Sequence, residues 1–256
     1  MSMAGLCTHL TAAEDFVVSL RGMNSGPGTK GSARDAAAIL ACLEAPDAMD
    51  AFMSGTVFPD WGYRGVNDDA AEAAHWNPFT DAFADLIAER RYRRSFSGFE
   101  ERDRPGLIAF LLGVLLHDAI DEYWHFDVDG GKSFLSEAKQ REGLSHGEVE
   151  RYCDFMLLRE HGTPRLCGRY PELAILDVYR GMGIDVESRQ LKTGYAKMEK
   201  EIRFYSARAK LPQGNLRRRC AWTFAHFLGE EFSGAKKGAL MAFPAMKKAI
   251  GRESER

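Results

Sequence analysis

The chain has 256 residues, 45% of them hydrophobic, which is enough for one substantial core, so we expect a single domain over residues 1–256. The formal net charge of −3 gives no electrostatic reason to expect binding to nucleic acid or to an anionic membrane surface. No apolar run reaches the roughly 18–20 residues that a membrane-spanning helix needs, so no transmembrane segment is predicted.

The N-terminus and the cysteines indicate an intracellular protein. Residues 1–7 lack a basic region followed by an apolar segment, so no secretory signal is predicted. The five cysteines are odd in number and widely scattered, as is typical of reduced thiols. We therefore expect a cytoplasmic location, and the pattern makes no prediction of oligomeric state.

The hydrophobic pattern is helical almost throughout and shows no long alternation of period two, which predicts an all-α, multi-helix bundle. Helix start and stop signals predict helices, in chain order, at Thr11–Arg21, Ser32–Leu43, Asp68–Tyr92 with a break near Asn77-Pro78, Pro105–His125, Ser145–His161, Pro171–Gly181, Val186–Lys210, Leu216–Phe232 and Ala235–Ile250. Ser145 and Glu148 have the spacing of a capping box. The segment Gly55–Asn67 contains Pro59 and three glycines, which suits a loop that lines a site.

The most informative segment ends the predicted helix Pro105–His125. His117, Asp121 and His125 recur every four residues, and residues four apart lie on nearly the same face of a helix. Burying imidazoles and a carboxylate without partners is costly, and a divalent metal ion would offset that cost. His117 and Asp121 can hold one ion together, whereas His125 lies about 40° further round the helix and suits a neighbouring ion.

A second pair of candidate ligands repeats this spacing on the next predicted helix. His146 and Glu150 are four residues apart, so both can face His125. His226 and Glu230 form a competing pair, although their aromatic surroundings are more typical of core packing.

The remaining candidate ligands are His9, Asp60 and His75. Asp60 follows Pro59 in the predicted site loop, and His9 stands at the start of the first helix. Each also has a simpler interpretation, since His9 could be a hydrogen-bonding residue and His75 a core histidine. Nitrogen and carboxylate ligands without a cysteine set indicate zinc in an open, catalytic arrangement.

Aromatic residues stand beside these candidate ligands, and two interpretations of them stay open. They could line a substrate entrance, or they could be ordinary core residues. The residues are Trp61, Tyr63, Trp76 and Phe79.

Four segments together resemble a known family. They are Gly5–His9, which ends in Thr-His, the Pro-Asp loop Gly55–Asp60, the His-Trp-x-Pro-Phe segment Glu72–Phe79, and the ligand helix Phe110–His125. In order and rough spacing they resemble the zinc-dependent phospholipase C family, and within it the catalytic domain of glycosylphosphatidylinositol-specific phospholipase D. The resemblance covers residues 5–125, and beyond Glu150 it is limited to helical length and pattern.

The resemblance implies an all-α fold of the zinc-dependent phospholipase C and nuclease type that binds three zinc ions. The implied ligand sets are Asp60, His75, His117 and Asp121 for the first ion, His125, His146 and Glu150 for the second, and His9 with a bridging Asp121 for the third. Asp60 would also orient or deprotonate the attacking water. In secreted relatives the mature N-terminus completes the third site, whereas here Met1–Leu6 precede the motif. We therefore expect two or three ions, the third site being incomplete or recruiting Cys7 or water.

Three functions follow from these observations. The first is a zinc-dependent phosphoester hydrolase of the phospholipase C/D type, in which a metal-bound hydroxide attacks the phosphorus of a small-molecule or lipid phosphoester. The second is an intracellular zinc enzyme that acts as a Lewis acid on a small metabolite, in a cyclisation, an elimination or a non-phosphate hydrolysis. The third is a non-catalytic helical protein that zinc stabilises.

Overall fold

The computed structural model describes residues 5–25, 30–88, 104–125, 132–164, 166, 168–210 and 223. In these ranges the chain forms ten α-helices and one 3-10 helix, without a strand, so the predicted all-α class is confirmed. In chain order they are α1 (Leu6–Ser25), α2 (Lys30–Leu43), α3 (Ala48–Gly55), the 3-10 helix η1 (Phe58–Trp61), α4 (Asp68–Ala74), α5 (Asn77–Ala88), α6 (Arg104–His125), α7 (Phe134–Glu142), α8 (His146–Glu160), α9 (Glu172–Gly181) and α10 (Ser188–Ala209). Within the described part of the chain, no helix combines the length and the apolar character needed to cross a bilayer.

Local signals in the sequence set several of these boundaries. The predicted break near Asn77-Pro78 separates α4 from α5. The capping box of α8 is present, since the Glu148 carboxylate accepts hydrogen bonds from the backbone nitrogen and the hydroxyl of Ser145, at 3.0 and 2.9 Å. The short helices α3 and α7 were not predicted. The predicted helices Leu216–Phe232 and Ala235–Ile250 fall outside the described residues, apart from Thr223.

Helix α6 packs against α3 through an unusually close contact between two glycines. A β-carbon on Gly55 would lie 2.2 Å from the carbonyl oxygen of Phe110, and one on Gly113 would lie 2.2 Å from that of Phe52. Backbone atoms cannot rotate aside as a side chain can, so both positions require glycine. The contact brings Thr56, which follows α3, beside the ligand face of α6.

Buried aromatic side chains hold η1 against α5 and α9. The ring of Phe58 lies 5.3 Å from that of Phe79, which in turn lies 5.1 Å from that of Tyr179. The Tyr179 hydroxyl donates to the carbonyl of Ala70 at 2.8 Å and accepts a hydrogen bond from the indole nitrogen of Trp61 at 3.0 Å. These contacts satisfy the buried hydroxyl of Tyr179 and the indole nitrogen of Trp61. They also fix η1, the 3-10 helix that carries the candidate ligand Asp60.

Candidate metal centre

All of the predicted ligands except the competing pair on residues 226 and 230 lie within the described residues. Three groups of three side chains each offer ligand atoms that lie within 4.8 Å of one another. We name them the inner group (Asp60, His75, His117), the bridging group (His9, His117, Asp121) and the outer group (His125, His146, Glu150). Helix α6 contributes to all three groups, as the stacked spacing of its polar residues predicts.

The inner group is buried, and two backbone carbonyls orient its histidines. Nδ1 of His117 donates to the carbonyl of Thr56 at 2.9 Å, and Nδ1 of His75 donates to that of Ala71 at 2.8 Å. Since a carbonyl oxygen only accepts, each Nδ1 carries a hydrogen, and in its neutral form each ring directs the lone pair of its Nε2 into the site. The two Nε2 atoms are 3.2 Å apart. Two lone pairs at this distance repel each other unless a proton or a metal ion lies beside them.

The carboxylate of Asp60 completes the inner group and is held in its ionised form. One oxygen lies 3.6 Å from Nε2 of His75. Burial by itself would raise the pKa of Asp60, but the neighbouring His75 and the charge of His117 hold it below its usual value. Arg64 donates to the backbone carbonyl of Asp60 at 3.0 Å and pairs with Glu201 at 2.6 Å, which fastens the loop to α10.

The two oxygens of Asp121 point toward different histidines. Oδ2 lies 3.3 Å from Nε2 of His117 and 3.9 Å from that of His75. Oδ1 lies 3.1 Å from Nε2 of His9 and 3.2 Å from that of His125. The carboxylate is therefore placed to bridge neighbouring cations, one on each oxygen.

The outer group is more open. Oε1 of Glu150 lies 2.7 Å from Nε2 of His146 and 3.5 Å from that of His125. The side chain of His146 is 50% exposed, compared with 0% for His117. Nδ1 of His125 is buried and has no hydrogen-bond partner among the described residues. Among the described residues, no backbone carbonyl orients the outer histidines as Thr56 and Ala71 orient the inner ones.

The titrating groups shift one another's pKa values strongly. Burial lowers the pKa of His117, but the neighbouring Asp121 carboxylate raises it to about 10. Burial would raise the pKa of Asp121, yet the charges of His117 and His125 hold it well below its usual range. Burial also raises the pKa of Glu150, against the effect of its hydrogen bond with His146. His117 and Asp121 thus stabilise each other's charged forms, as closely packed groups of opposite charge at a site do.

The donors fit zinc. Imidazole nitrogens and carboxylate oxygens are its ordinary ligands in catalytic sites, which use few protein ligands and leave one position open. Among the described residues, the three groups contain no cysteine. Cys7, considered above as a ligand, is buried and belongs to none of the three groups, and burial together with the charge of Asp154 raises the pKa of its thiol.

The aromatic residues divide into two pairs. Trp61 and Phe79 have 0% exposure and lie in the hydrophobic core, so they do not line an entrance as the first interpretation held. The ring of Tyr63 lies 5.3 Å from that of His75, and Trp76 is 51% exposed. Glu72 accepts hydrogen bonds from the Tyr63 hydroxyl and, at 3.0 Å, from the Trp76 indole. Tyr63 and Trp76 therefore stand at the rim of the inner group.

One polar residue beside the centre did not emerge from the sequence. Asp154 has 0% exposure and accepts hydrogen bonds from Gly5 and Thr8, at the start of α1. It follows Glu150 by four residues, the same spacing as between His146 and Glu150, and this continued stripe was the available signal. His226 and Glu230, the competing pair, lie outside the described residues.

The comparison with protein families agrees with this geometry. The family model described as zinc dependent phospholipase C matches residues 8–233. The chain belongs to the zinc-dependent phospholipase C family. This is a family of hydrolases, and zinc is its metal, in keeping with the nitrogen and carboxylate groups of this chain.

Individual relatives within the zinc-dependent phospholipase C family match over shorter stretches. Phosphatidylinositol-glycan-specific phospholipase D of Mus musculus is 38% identical over 81 residues, which are 30% of this chain and 9% of the relative. The protein of the same description from Homo sapiens is 37% identical over 81 residues, with the same coverage. That of Dictyostelium discoideum is 30% identical over 142 residues, 52% of this chain and 14% of the relative. The matched region thus spans about a tenth of the length of these relatives. No solved structure matches the chain.

Proposed function

We propose that this protein is a zinc-dependent hydrolase of lipid phosphodiesters. The observation that carries the proposal is the pair of Nε2 atoms of His117 and His75, 3.2 Å apart, each aimed into the site by a carbonyl that binds the opposite ring nitrogen. Histidine ligands of metals are oriented in this way, with the second ring nitrogen donating to a carbonyl or a carboxylate.

We further propose three zinc ions, one for each group. The inner ion takes Asp60, His75, His117 and one oxygen of Asp121, the outer ion takes His125, His146 and Glu150, and the bridging ion takes His9 and the other oxygen of Asp121. The distances from the two oxygens of Asp121, 3.3 Å to His117 and 3.1 Å to His9, support this division. The bridging ion has the fewest side-chain donors of its own, and we expect it to be the weakest bound.

Zinc in these positions would lower the pKa of a water molecule to about 7 and neutralise charge that develops on phosphoryl oxygens. The protein itself orients the attacking water. Asp60, ionised because His75 and His117 lower its pKa, can accept a hydrogen bond from the attacking water and fix its direction. Arg64 holds the backbone of Asp60 and so maintains that geometry.

The substrate class follows from the family and from the rim of the site. The family consists of phospholipases, and the named relatives act on phosphatidylinositol-glycan. Tyr63 and Trp76 present aromatic surface next to His75, and their hydrogen bonds to Glu72 fix both rings. We infer that this surface contacts the non-reacting part of a phospholipid.

The test combines metal analysis with turnover. The purified protein is expected to bind three zinc ions per chain and to hydrolyse one or more of phosphatidylcholine, phosphatidylinositol and a glycosylphosphatidylinositol-anchored protein. Chelation should abolish turnover, and zinc should restore it. Zinc-loaded protein that hydrolyses no phosphoester would favour Lewis-acid chemistry on a small metabolite instead. Absence of bound metal would reject every zinc-based function.

A further inference from the structure

We propose that Asp154 is a positioning residue that places His9 in the bridging group by tying the start of α1 to α8. The carboxylate is completely buried. It accepts hydrogen bonds from the backbone nitrogen of Gly5 at 3.1 Å, from that of Thr8 at 3.0 Å, and from the Thr8 hydroxyl at 3.1 Å. This role rests on the zinc binding proposed above.

Asp154 replaces the local cap that α1 lacks. The first backbone N–H groups of a helix have no partner within the helix, and a side chain just before it usually accepts from them. Gly5 precedes α1 and has no side chain, so no local cap can form. Asp154 supplies the acceptor from another helix, which explains why α1 begins at Leu6 and not at the predicted Thr11.

The position of His9 depends on this backbone anchor. The backbone nitrogen of His9 donates to the carbonyl of Gly5 at 2.9 Å, so His9 stands one turn beyond the anchored residue. Its own Nδ1 is buried and has no hydrogen-bond partner among the described residues, in contrast to Nδ1 of His117. Since no hydrogen bond from the described residues to Nδ1 orients the His9 ring, the placement of α1 sets the 3.1 Å distance from Nε2 to Asp121.

The same helix carries the anchor and the outer ligands. Asp154, Glu150 and His146 follow one another at intervals of four residues on α8, and so lie along one stripe. A β-carbon on Gly5 would lie 3.9 Å from Oε1 of Glu150 and 4.0 Å from Nε2 of His9. The start of α1 thus lies between the outer and the bridging groups, where a small displacement would move His9 relative to Asp121.

The first variant is Asp154→Asn, which keeps the shape but replaces one acceptor oxygen with an NH₂ group that faces a backbone N–H. We expect zinc content to fall from three ions to two, with the dissociation constant of the third ion raised about 10–100-fold. Elemental analysis and competition with a chelator measure both quantities without reference to activity. The control is Ser133→Ala, which removes the cap of α7, a helix without proposed ligands, and should retain three ions.

The second variant, Thr8→Val, removes the hydrogen bond from the Thr8 hydroxyl to Asp154 and leaves those from the backbone nitrogens. It therefore tests the role of Asp154 even if Asp154→Asn does not fold. It should weaken only the third ion, by about tenfold. Wild-type affinity for three ions in Thr8→Val and in a folded Asp154→Asn would overturn the proposal. So would a wild-type protein that binds two ions and keeps both in His9→Ala. A wild-type protein without zinc would instead overturn the proposed function, so the two failures are distinguishable.

Discussion

The inner and outer groups of the centre use the same residue types but are held in different ways. His117 is completely buried, and the Thr56 carbonyl fixes its ring. His146 is half exposed, and its neighbour His125 has a buried Nδ1 without a partner among the described residues. The fold therefore orients the inner ligands before any ion binds, whereas the outer ligands depend more on the ion itself. We expect the inner ion to be bound first and lost last.

Removal of one histidine from each group tests this difference most strongly. His117→Asn should lower turnover on the order of 10³-fold, since several kcal/mol of charge stabilisation would be lost. His146→Asn should lower it only about tenfold, because water can reach and occupy the half-exposed position.

Steady-state kinetics with and without added zinc measure both effects. Excess zinc should restore much of the activity of His146→Asn and little of that of His117→Asn. Equal losses, or equal recovery, would show that the two groups do not differ as proposed.

The close contact of Gly55 and Gly113 between α3 and α6 gives the next largest expected effect, which is a change in the free energy of unfolding. Gly113→Ala places a β-carbon 2.2 Å from the Phe52 carbonyl, so α3 must move away from α6, at a cost of about 3 kcal/mol in the free energy of unfolding. Gly106→Ala is the matched control, because it lies on the same helix with nothing within 4 Å. It should stabilise the protein by up to about 1 kcal/mol. Urea denaturation measures both, and a neutral Gly113→Ala would contradict the packing described.

Proton binding at the inner group predicts that two quantities change with pH in opposite directions. They are the stability of the metal-free protein and its affinity for zinc. Asp121 raises the pKa of His117 from 6.5 to about 10 in the metal-free fold. The stabilisation by this protonated ring is complete below pH 6.5 and is lost as pH rises toward 10. Zinc requires the neutral ring, so its affinity should rise over the same range, about tenfold per pH unit for one proton released.

Melting temperatures with chelator and with zinc, over a pH series, test this prediction. The melting temperatures with chelator and with zinc should diverge as pH rises. In His117→Asn, the number of protons released when zinc binds should be lower by about one. Parallel curves would show that His117 does not exchange a proton for the ion.

The smallest effect concerns the helix that presents the outer group. Glu148→Ala removes the acceptor for the backbone nitrogen and the hydroxyl of Ser145, directly before His146. We expect a loss of about 1 kcal/mol in the free energy of unfolding and weaker binding of the outer ion. Glu160→Ala, at the other end of α8, is the control and should change neither. Loss of inner rather than outer zinc in Glu148→Ala would reverse the assignment of groups.

Much of the fold and of the centre could be predicted because the signals are local. The helical period, the break before Pro78 and the capping box at Ser145 each depend on residues close in sequence. The stripe of His117, Asp121 and His125 likewise lies on one helix. The segments that resemble the zinc-dependent phospholipase C family pointed to a family that the comparison then confirmed.

What could not be predicted depends on contacts between distant segments. Periodicity gave no sign that Trp61 and Phe79 are core residues, since the same aromatic residues suit a rim as well as an interior. The start of α1 could not be predicted from a local cap, because its cap comes from Asp154. The division of Asp121 between His117 and His9 requires the packing of α1 on α6, so the family resemblance predicted it and the residue spacing did not.

The anchor of α1 also has a consequence for the order of folding. The hydrogen bond between Gly5 and Asp154 closes a span of 149 residues. During synthesis the chain emerges at roughly 5–20 residues per second, and contacts so far apart in sequence form late. Helix α1 is thus among the last of the described helices to settle, and His9 joins the centre only after α8 has left the ribosome.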